Sequence, residues 1–414
     1  MLFIYRLTIN FIFLISPIII IYRIIKNKED PKRFLEKIGK FKKNKNNNLI
    51  WFHGSSVGEI LSIIPLIEKF EKRKNIKKIL ITSNTLSSAK IIKNLKLKKT
   101  FHQFFPLDTK FLVEKFLNHW KPKAVFFIES EIWPNMIIKI KEKNIPLTLI
   151  NARITKKSFK KWTKILSFSK KIFNKFDLCL GQNDKTCNYL KILGARNIKK
   201  IGNLKFSQSN LELKKQPSLK IKKILKNKKV IFSAISTHEG EELLCGKVHS
   251  NLKKHYKNII SIIIPRHVHR AQEIKEELNS NGLNVHLHSS NRPINKNTDI
   301  YIVDTFGETK AFLKLSKIAF MGKSIHGFGG QNPLEAARLG NRIIHGPNIE
   351  NFVEVYDFLK KHGISTKINS YKDLKNLVVK FDRKKNYSQE IIKKLTYTGN
   401  QILLSNEKEI NKYF

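Results

Sequence analysis

Short apolar runs alternate with longer amphipathic runs along most of this chain from residue 49 onward. Short apolar runs are typical of buried strands, and the runs between them have helical spacing. Predicted strands lie at 49–53, 78–82, 124–128, 146–150 and 177–181, and predicted helices lie at 58–70, 88–95, 109–119, 133–143 and 183–193. This alternation predicts βαβ units on a parallel sheet.

A polar, lysine-rich segment at 207–228 interrupts this pattern. A second series of predicted strands follows at 230–235, 259–264, 284–287, 300–303, 318–321 and 342–345. The sequence therefore predicts an α/β fold with two Rossmann-like domains, at 26–206 and 229–414, joined by a linker at 207–228.

The first 25 residues form an apolar segment of a different kind. Residues 7–22 carry no charge and lie between Arg6 and Arg23, and a strongly basic stretch follows at 26–45. No small-residue cleavage site follows the apolar run, which argues against a secretory signal. We therefore expect residues 1–25 to be an uncleaved membrane anchor, either spanning the bilayer or lying in it, with the basic flank on the cytoplasmic side. A buried first helix is the alternative.

The net charge of the chain indicates that its partners are negatively charged but does not identify them. Its 414 residues include 80 Lys and Arg against 32 Asp and Glu, and 80 − 32 gives a net charge of +48. Such an excess attracts nucleic acid, anionic lipid or a phosphorylated substrate. The 28 Phe residues lie mostly inside strand-like and helix-like runs. Because RNA-binding modules interleave exposed aromatic and basic residues, we expect no nucleic-acid partner, although a basic RNA-binding protein remains an alternative.

Cysteine usage indicates a reducing environment. Cys179, Cys187 and Cys245 form no Cys-x-x-Cys pair and have no histidine at metal-ligand spacing. We interpret them as reduced thiols in a cytosolic compartment.

Candidate chemistry lies just after the predicted strands, where open parallel sheets bind their ligands. In the first half these segments are 53–59, which contains two glycines, and 129–135, which contains Glu129 and Glu131. Glycines allow close backbone approach, and a following helix offers free N–H groups to an anion. The alternative role for each carboxylate is to cap a helix.

The second half has polar segments at 236–241, 265–267 and 304–309, and a glycine-rich loop at 327–330 that leads into a predicted helix. A loop of this kind is typical of a phosphate site, and Glu335 could accept hydrogen bonds from ribose hydroxyls. Together these segments predict a nucleotide site in the second domain.

Seven motifs in order resemble the bacterial 3-deoxy-D-manno-octulosonic acid (Kdo) transferases, which build the inner core of lipopolysaccharide. They lie at 51–59, 129–135, 151–153, 202–206, 265–267, 329–335 and 346–352. The resemblance implies a GT-B architecture, in which an N-terminal acceptor domain and a C-terminal donor domain face each other across a cleft. It also implies transfer of Kdo from CMP-Kdo to a lipid A precursor, with inversion and with no metal or cofactor, at the cytoplasmic face of the inner membrane.

The resemblance also implies roles for particular residues. Glu59 resembles the proton acceptor of the family, and Glu129 and Lys205 match the positions that stabilise the transition state. Ser56 and Glu131 would lie on the acceptor side. The implied CMP contacts are Pro265, Arg266, Gly307, Glu308, Thr309, Asn332, Pro333, Leu334 and Glu335.

Two residues depart from the family pattern: Gln331 stands where many members have His, and Ala336 where Pro is common. The chain has no Asp-x-Asp sequence, the motif with which other nucleotide-sugar enzymes hold a divalent cation. Another GT-B glycosyltransferase that uses a UDP-sugar is the alternative within enzymes, and the motifs around Glu59 and Glu129 argue against it.

Overall fold

The structure is a computed structural model and describes residues 1–41, 48–95, 97–207, 229–382 and 388–413. It divides into two compact units, one of Met1–Ser209 with Thr398–Phe414 and the other of Asn210–Tyr397. Each unit contains a seven-stranded sheet. The described strand pairs are parallel throughout. The predicted α/β class with two Rossmann-like domains is confirmed.

The first unit has strand order β3-β2-β1-β4-β5-β6-β7. Its strands are β1 Leu49–His53, β2 Lys78–Ser83, β3 Thr100–Phe104, β4 Ala124–Ile128, β5 Leu147–Ala152, β6 Leu178–Gly181 and β7 Ile198–Lys200. Its helices are α1 Leu2–Ile25, α2 Val57–Glu71, α3 Leu86–Asn94, α4 Lys110–Trp120, α5 Pro134–Glu142, α6 Lys156–Thr163, α7 Leu166–Phe173 and α8 Asp184–Leu193. The order reverses between β1 and β4, so the loops that follow these two strands border the crevice where such sheets bind ligands.

The second unit has strand order β10-β11-β9-β8-β12-β13-β14. Its strands are β8 Lys229–Thr237, β9 Ile259–Pro265, β10 Val285–Leu287, β11 Ile300–Ile302, β12 Ile318–Met321, β13 Arg342–His345 and β14 Ser365–Lys367. The remaining helices are α9 Glu241–Lys253, α10 Ala271–Ser280, α11 Thr309–Leu313, α12 Leu334–Arg338, α13 Val353–Lys361, α14 Tyr371–Asp382 and α15 Ser388–Ile410. Here the order reverses between β8 and β12.

The central strands are buried on both faces, which explains their continuous apolar sequences. In β1, Trp51 and Phe52 point to opposite faces of the sheet and both are fully buried. Trp51 packs against Phe116 of α4, with 4.8 Å between ring centroids, and Phe52 stacks on Phe126 of β4 at 4.7 Å. Trp51 also contacts Phe127 of β4, at 5.6 Å, so aromatic side chains join β1 and β4 on both faces of the sheet.

Three strands, β3, β7 and β14, were not predicted from the sequence, and all three lie at sheet edges. An edge strand pairs on one side only and is less completely covered, so it does not need an apolar run. The strand Ser365–Lys367, for example, contains no apolar side chain.

The C-terminal boundary of the second domain is corrected by the structure. The sequence-based division assigned 229–414 to that domain, but Thr398–Phe414 belongs to the first unit. Glu407 of α15 accepts hydrogen bonds from Lys69 at 2.7 Å and from Arg73 at 2.8 Å, both near the end of α2. Periodicity predicts a helix here but does not identify its packing partner. Apart from Ser207, the predicted linker at 207–228 lies outside the described residues.

Helix α1 contains 24 residues. Among the residues that the structure describes, it is the single helix long and apolar enough to cross a membrane. This test uses length and composition alone, and the core helix of a soluble protein or a signal sequence would pass it too.

The packing of α15 on the first unit generates a stability prediction. A Cβ atom at Gly399 would lie 2.3 Å from the carbonyl oxygen of Phe206. Alanine normally stabilises a helix interior by about 1 kcal/mol relative to glycine, but overpacking costs about 1–3 kcal/mol. Because the clash is with a backbone oxygen, we expect overpacking to outweigh this gain and Gly399→Ala to lower the free energy of unfolding by up to about 2 kcal/mol in urea titration.

The adjacent Asn400→Ala is the matched control, because Asn400 is exposed on the same helix. It should leave the free energy of unfolding unchanged or slightly raised. Stabilisation by Gly399→Ala would show that α15 does not approach Phe206 this closely.

Candidate functional site

The loop after β1 fixes Glu59 at the start of α2. Ser56 caps the helix, since its Oγ accepts a hydrogen bond from the Glu59 N–H at 3.3 Å and donates one to Glu59 Oε1 at 2.8 Å. The Ser55 N–H donates to Glu59 Oε2 at 2.7 Å. Ser56 is thus the N-cap residue of α2, and the Glu59 side chain turns back onto the two serines before the helix. Both oxygens of Glu59 are therefore held in place.

Gly54 is required for close packing behind this carboxylate. A Cβ atom at Gly54 would lie 3.1 Å from Ile128 Cδ1 and 3.2 Å from Glu59 Cβ. The absence of a side chain lets the loop after β1 approach the end of β4.

Glu131, from the loop after β4, lies at the centre of a hydrogen-bond network. Its Oε2 accepts from Ser55 Oγ at 2.6 Å, from Trp133 Nε1 at 2.8 Å and from His53 Nε2 at 3.0 Å. His53 is fully buried. The ring orientation of His53 is set on its other side, where Nδ1 lies 2.9 Å from the Thr82 hydroxyl.

His53 joins two groups of polar contacts. On one side its Nδ1 lies 2.9 Å from Thr82 Oγ1, which also accepts from the Trp51 N–H at 2.9 Å, and 3.3 Å from the Thr82 carbonyl oxygen. On the other side its Nε2 lies 3.0 Å from Glu131 Oε2 and 3.1 Å from Trp133 Nε1. A buried chain of hydrogen bonds therefore runs from the aromatic core of the sheet to the Glu131 carboxylate.

Burial and charge separate the pKa values of the two carboxylates. Burial raises the pKa of Glu59 to about 7, with a further increase from the neighbouring negative charge of Glu131, against hydrogen bonds from Ser56 and Ser55 that lower it. Burial also acts to raise the pKa of Glu131, but the hydrogen bond and charge of His53, with bonds from Ser55 and Trp133, outweigh it and hold that pKa below its usual value. One carboxylate is thus ionised while the other titrates near neutrality, a pattern typical of sites that transfer protons.

Glu129, the first residue after β4, forms an ion pair with Lys205. Lys205 Nζ lies 2.5 Å from Glu129 Oε1, and both side chains are largely buried. Glu129 has a φ of +57°, a left-handed conformation that is uncommon outside glycine and that occurs at functional sites. Its charge also raises the pKa of Glu59, after the larger effects of burial and Glu131, so the three carboxylates influence one another.

Asn151 at the end of β5 positions the lysine. Its Oδ1 accepts from the Leu204 N–H at 2.9 Å, and its Nδ2 lies 3.5 Å from Glu129 Oε1. Leu204 begins the 3₁₀ turn Leu204–Ser207 that carries Lys205. Asn151 therefore joins the carboxylate and the lysine turn, although its role was not predicted from the sequence.

The first unit thus gathers five of the implied site residues at the carboxyl edge of one sheet: Ser56, Glu59, Glu129, Glu131 and Lys205. Sequence reasoning did not assign roles to His53 or Trp133, although both lie inside the quoted motifs. The contacts that give His53 and Trp133 a role form only when β1, β2 and β4 lie side by side in the sheet.

In the second unit, two of the quoted motifs pack on each other. The Gly329 N–H donates to Glu350 Oε2 at 2.8 Å. A Cβ atom at Gly329 would lie 2.3 Å from Asn351 Nδ2, and one at Gly330 would lie 2.7 Å from the Asn348 carbonyl oxygen. Both glycines have positive φ angles, of 100° and 65°. The loop after β12 is thus built against the loop after β13.

A buried carboxylate that sequence reasoning missed supports the same edge. Glu241, the first residue of α9, is fully buried. Its oxygens accept from the backbone N–H groups of His238, Lys323, Ser324 and Ile325 at 2.7–3.1 Å. It ties the loop after β12 to the loop after β8 across the switch point.

Arg266 offers an exposed positive charge at this edge. Pro265 is buried at the end of β9, and the Arg266 side chain is exposed just beyond it. The Arg266 N–H donates to the Thr237 carbonyl at 3.1 Å, which places the arginine beside the end of β8.

The implied contacts near α11 already have partners. His288 Nε2 lies 2.8 Å from Glu308 Oε2, and the Thr305 hydroxyl also donates to Glu308. Gly307 has a φ of +86°, and Thr309 is the first residue of α11. These contacts hold the loop after β11 in a defined shape.

The implied contacts near α12 differ in exposure. Asn332 Oδ1 accepts from the Leu334 N–H at 3.1 Å, whereas Pro333 and Leu334 are buried. Glu335 is exposed, with its Oε1 3.7 Å from Lys310 Nζ of α11. Pro333 and Leu334 can therefore offer only backbone groups to a ligand, while Asn332 and Glu335 keep accessible polar atoms.

Among the residues that the structure describes, no group of three or more His, Cys, Asp or Glu side chains is arranged to hold a metal ion.

Comparison with known proteins shows consistent similarity over most of the chain. A sequence profile described as 3-deoxy-D-manno-octulosonic-acid transferase (kdotransferase) matches residues 32–208. A 3-deoxy-D-manno-octulosonic acid transferase of Rickettsia bellii is 36% identical over 371 residues, which is 88% of this chain and 88% of the relative. A probable mitochondrial transferase of the same name from Arabidopsis thaliana is 34% identical, covering 84% of this chain and 81% of the relative.

Solved structures are similar in fold. The crystal structure of a UDP-N-acetylglucosamine 2-epimerase covers 90% of this chain and 98% of its own, with a TM-score of 0.61 and 11% identity. At that identity the likeness shows the fold alone. With the two parallel sheets, it confirms the predicted GT-B architecture.

The geometry predicts how the Glu59 pKa responds to its neighbour. Glu131→Gln removes a negative charge but keeps an acceptor oxygen for Ser55 and Trp133, so ionisation of Glu59 becomes easier. We expect the pKa of Glu59 to fall from about 7 toward its usual value of 4.5. Carboxyl ¹³C NMR titration of glutamate-labelled protein measures this change.

The control is Glu68→Gln, in the same helix at a partly buried position. It should leave the Glu59 titration unchanged. If Glu131→Gln also leaves it unchanged, burial alone sets the Glu59 pKa.

Proposed function

The chain belongs to the 3-deoxy-D-manno-octulosonic acid (Kdo) transferase family, and from this we propose that it transfers Kdo from CMP-Kdo to a lipid A precursor. The proposal extends the family membership to a donor, an acceptor and a mechanism: an inverting transfer that needs neither metal nor cofactor. The observation that carries it is the Glu59 carboxylate, partly buried at a sheet switch point with a pKa of about 7.

Glu59 suits the role of general base. A base works best when its pKa lies near the working pH, since it is then both ionised and able to take a proton. Oε1 and Oε2 are held by Ser56 and Ser55, so the carboxylate keeps one orientation. In an inverting transfer it would take the proton of the acceptor hydroxyl as that oxygen attacks the anomeric carbon of Kdo, opposite the leaving CMP.

Lys205 supports charge stabilisation in the first unit. Glu129 holds its ammonium at 2.5 Å, so the lysine is in place before the reaction begins. A fixed cation stabilises developing negative charge without reorganisation, and burial strengthens its effect. The Glu129 carboxylate can in turn stabilise positive charge that develops on the sugar ring.

Arg266 supports binding of the CMP phosphate in the second unit. Helix α12 contains only five residues, so its N-terminus contributes little positive potential to the glycine-rich loop. The charge that neutralises phosphate must then come from a side chain, and the guanidinium of Arg266 is exposed at the end of β9. Glu335 is exposed and can accept hydrogen bonds from ribose hydroxyls.

We further propose that the enzyme works at the cytoplasmic face of the inner membrane and is anchored there by α1. The acceptor would be embedded in that membrane, so an anchor confines the enzyme to the same membrane surface as its substrate. The net charge of +48 favours contact with anionic lipid head groups.

The proposal as a whole is tested by mass spectrometry of a reaction with lipid IVA and CMP-Kdo. The expected product carries Kdo, and the mass also gives the number of Kdo units. Competition by CMP but not UDP would identify the donor class, whereas competition by UDP would indicate a UDP-sugar enzyme. Absence of a Kdo-bearing product with the intact chain would refute the proposal.

Glu59→Gln tests the base. Glutamine keeps the shape and an acceptor oxygen for the capping bonds but cannot take a proton, so we expect turnover to fall by about 10² or more with CMP binding retained. Glu68→Gln, farther along α2, should retain normal turnover. Near-normal turnover of Glu59→Gln in a steady-state assay would show that another group acts as the base.

The acid limb of the rate profile provides a second test of Glu59. Because its ionised form is active, turnover at limiting substrate should rise with pH and reach half its plateau near pH 7. A profile that is flat between pH 5 and 8 would contradict this assignment, since it would mean that no group of pKa about 7 must be ionised.

Arg266 and Lys205 should differ kinetically if each has its proposed role. Arg266→Ala should chiefly raise the KM for CMP-Kdo, and Lys205→Ala should chiefly lower kcat, each by about tenfold or more. Arg292→Ala is the control for Arg266→Ala, because Arg292 is also an exposed arginine in a loop of the second unit. Equal small effects of all three substitutions at fixed ionic strength would support diffuse surface attraction instead.

A further inference from the structure

The two sides of α1 differ along its whole length. Seven apolar residues, three or four positions apart, form one face, which we call the outward stripe: Phe3, Leu7, Phe11, Leu14, Ile18, Ile21 and Ile25. Each is 56–74% exposed. The opposite side contains Ile9, Ser16 and Ile20, all of which are buried. Residues at this spacing share one face of a helix, so α1 presents a continuous apolar surface outward and packs inward.

The first two turns of α1 are attached to the first unit by hydrogen bonds. Tyr5 Oη donates to Asp108 Oδ2 at 2.7 Å, and Arg6 Nε donates to Asn135 Oδ1 at 3.0 Å. Asp108 is fully buried, and its carboxylate also accepts from the N–H groups of Asn135 and Met136. A buried and fully bonded carboxylate makes this a defined attachment.

The last turn of α1 is attached to the same unit. Arg23 Nε donates to Glu29 Oε2 at 3.1 Å, and Lys37 Nζ donates to the same oxygen at 2.8 Å. Lys37 also donates to the Asn84 carbonyl at 3.3 Å. Glu29 is only 3% exposed. The end of the helix is therefore connected through Glu29 and Lys37 to the loop after β2.

These two attachments are incompatible with a helix that crosses a bilayer. A helix of 24 residues is about 36 Å long, and the hydrocarbon core is about 30 Å thick. A spanning orientation would place Tyr5 and Arg23 on opposite faces of the membrane. Both residues bond to one compact unit, which cannot be present on both faces.

We propose that α1 is an in-plane anchor, which lies in the interface of one leaflet with its outward stripe among the acyl chains and does not cross the bilayer. The partner that covers the outward stripe is a leaflet of anionic phospholipid. Lys26 and Lys28, exposed next to the end of the helix, lie where they can contact its head groups. This inference rests on the proposed membrane location and adds the orientation.

The attachments also place the anchor beside the candidate site. Asp108 follows β3 and Asn135 lies in the first turn of α5, the helix that follows β4, so both lie at the carboxyl edge of the sheet. Asn84 follows β2, and its Nδ2 donates to Ser55 Oγ at 2.8 Å. Ser55 in turn contacts both Glu59 and Glu131. An in-plane α1 therefore holds the edge that carries Glu59 at the membrane surface, where the hydroxyl of a lipid-borne acceptor can reach it.

Tag accessibility tests the orientation in the full chain. Epitope tags, each behind a protease site, are added to both termini, and protease is applied to inverted inner-membrane vesicles and to spheroplasts. The in-plane anchor predicts that both tags are removed in inverted vesicles and that both are protected in spheroplasts. Removal of the N-terminal tag in spheroplasts would show a spanning helix and overturn the inference, as would recovery of the protein in the soluble fraction.

The same vesicles separate this inference from the proposed function. Kdo transfer with the N-terminal tag on the periplasmic side overturns the in-plane anchor alone. No transfer with both tags on the cytoplasmic side leaves the anchor supported and overturns the proposed reaction.

Paired lysine substitutions give a second test. Phe11→Lys with Leu14→Lys places charge on the outward stripe, whereas Thr8→Lys with Asn10→Lys places the same charge on exposed polar positions beside it. We expect the first pair to weaken partitioning to anionic phospholipid vesicles by about tenfold or more and the second pair to leave it unchanged. Equal losses for both pairs would indicate that lipid surrounds the helix, and equal retention would place the membrane contact elsewhere; either result would overturn the inference.

Discussion

The candidate site depends on keeping three carboxylates close together at one end of one sheet. Glu59, Glu129 and Glu131 repel one another, and burial increases the cost of each charge. The fold offsets this cost differently for each of them. Glu131 receives hydrogen bonds from His53, Ser55 and Trp133, and Glu129 is paired with Lys205.

Glu59 accepts bonds from Ser55 and Ser56 at the start of its own helix, and these do not offset its burial and the charge of Glu131. Burial first, and then this repulsion, raise the pKa of Glu59 to about 7, while its donors hold the pKa of Glu131 below its usual value. The chemistry that the site can perform follows from which donors reach which carboxylate. Those donors come from the end of β1, from the loops after β1 and β4 and from the turn after β7, so the order of strands in the sheet brings them to the three carboxylates.

The second unit uses the same sheet geometry for a different purpose. Its buried carboxylate, Glu241, receives four backbone N–H groups and so holds two loops together instead of remaining available for reaction. Polar side chains at the same edge, Arg266, Asn332 and Glu335, retain accessible atoms. The likeness of the two sheets therefore does not imply equal roles. The first unit brings titratable side chains together, whereas the second uses the Glu241 carboxylate to hold the loops after β8 and β12 in place.

Much of this protein was determined by local sequence alone. Apolar runs predicted the central strands because a parallel sheet covered on both faces requires them. The N-cap at Ser56 also follows from short-range chemistry, and whole motifs revealed the family. The tertiary structure decided what depends on distant segments coming together. Examples are the edge strands β3, β7 and β14, the packing of α15 on the first unit, the contacts that join Trp51 through Thr82 and His53 to Glu131, and the attachment of Tyr5 to Asp108. Tyr5 and Asp108 are 103 residues apart, and no local pattern specifies that a tyrosine in an apolar helix will meet a particular buried carboxylate. Periodicity encodes which face of an element is apolar, but the partner of that face is selected only when all the faces pack at once.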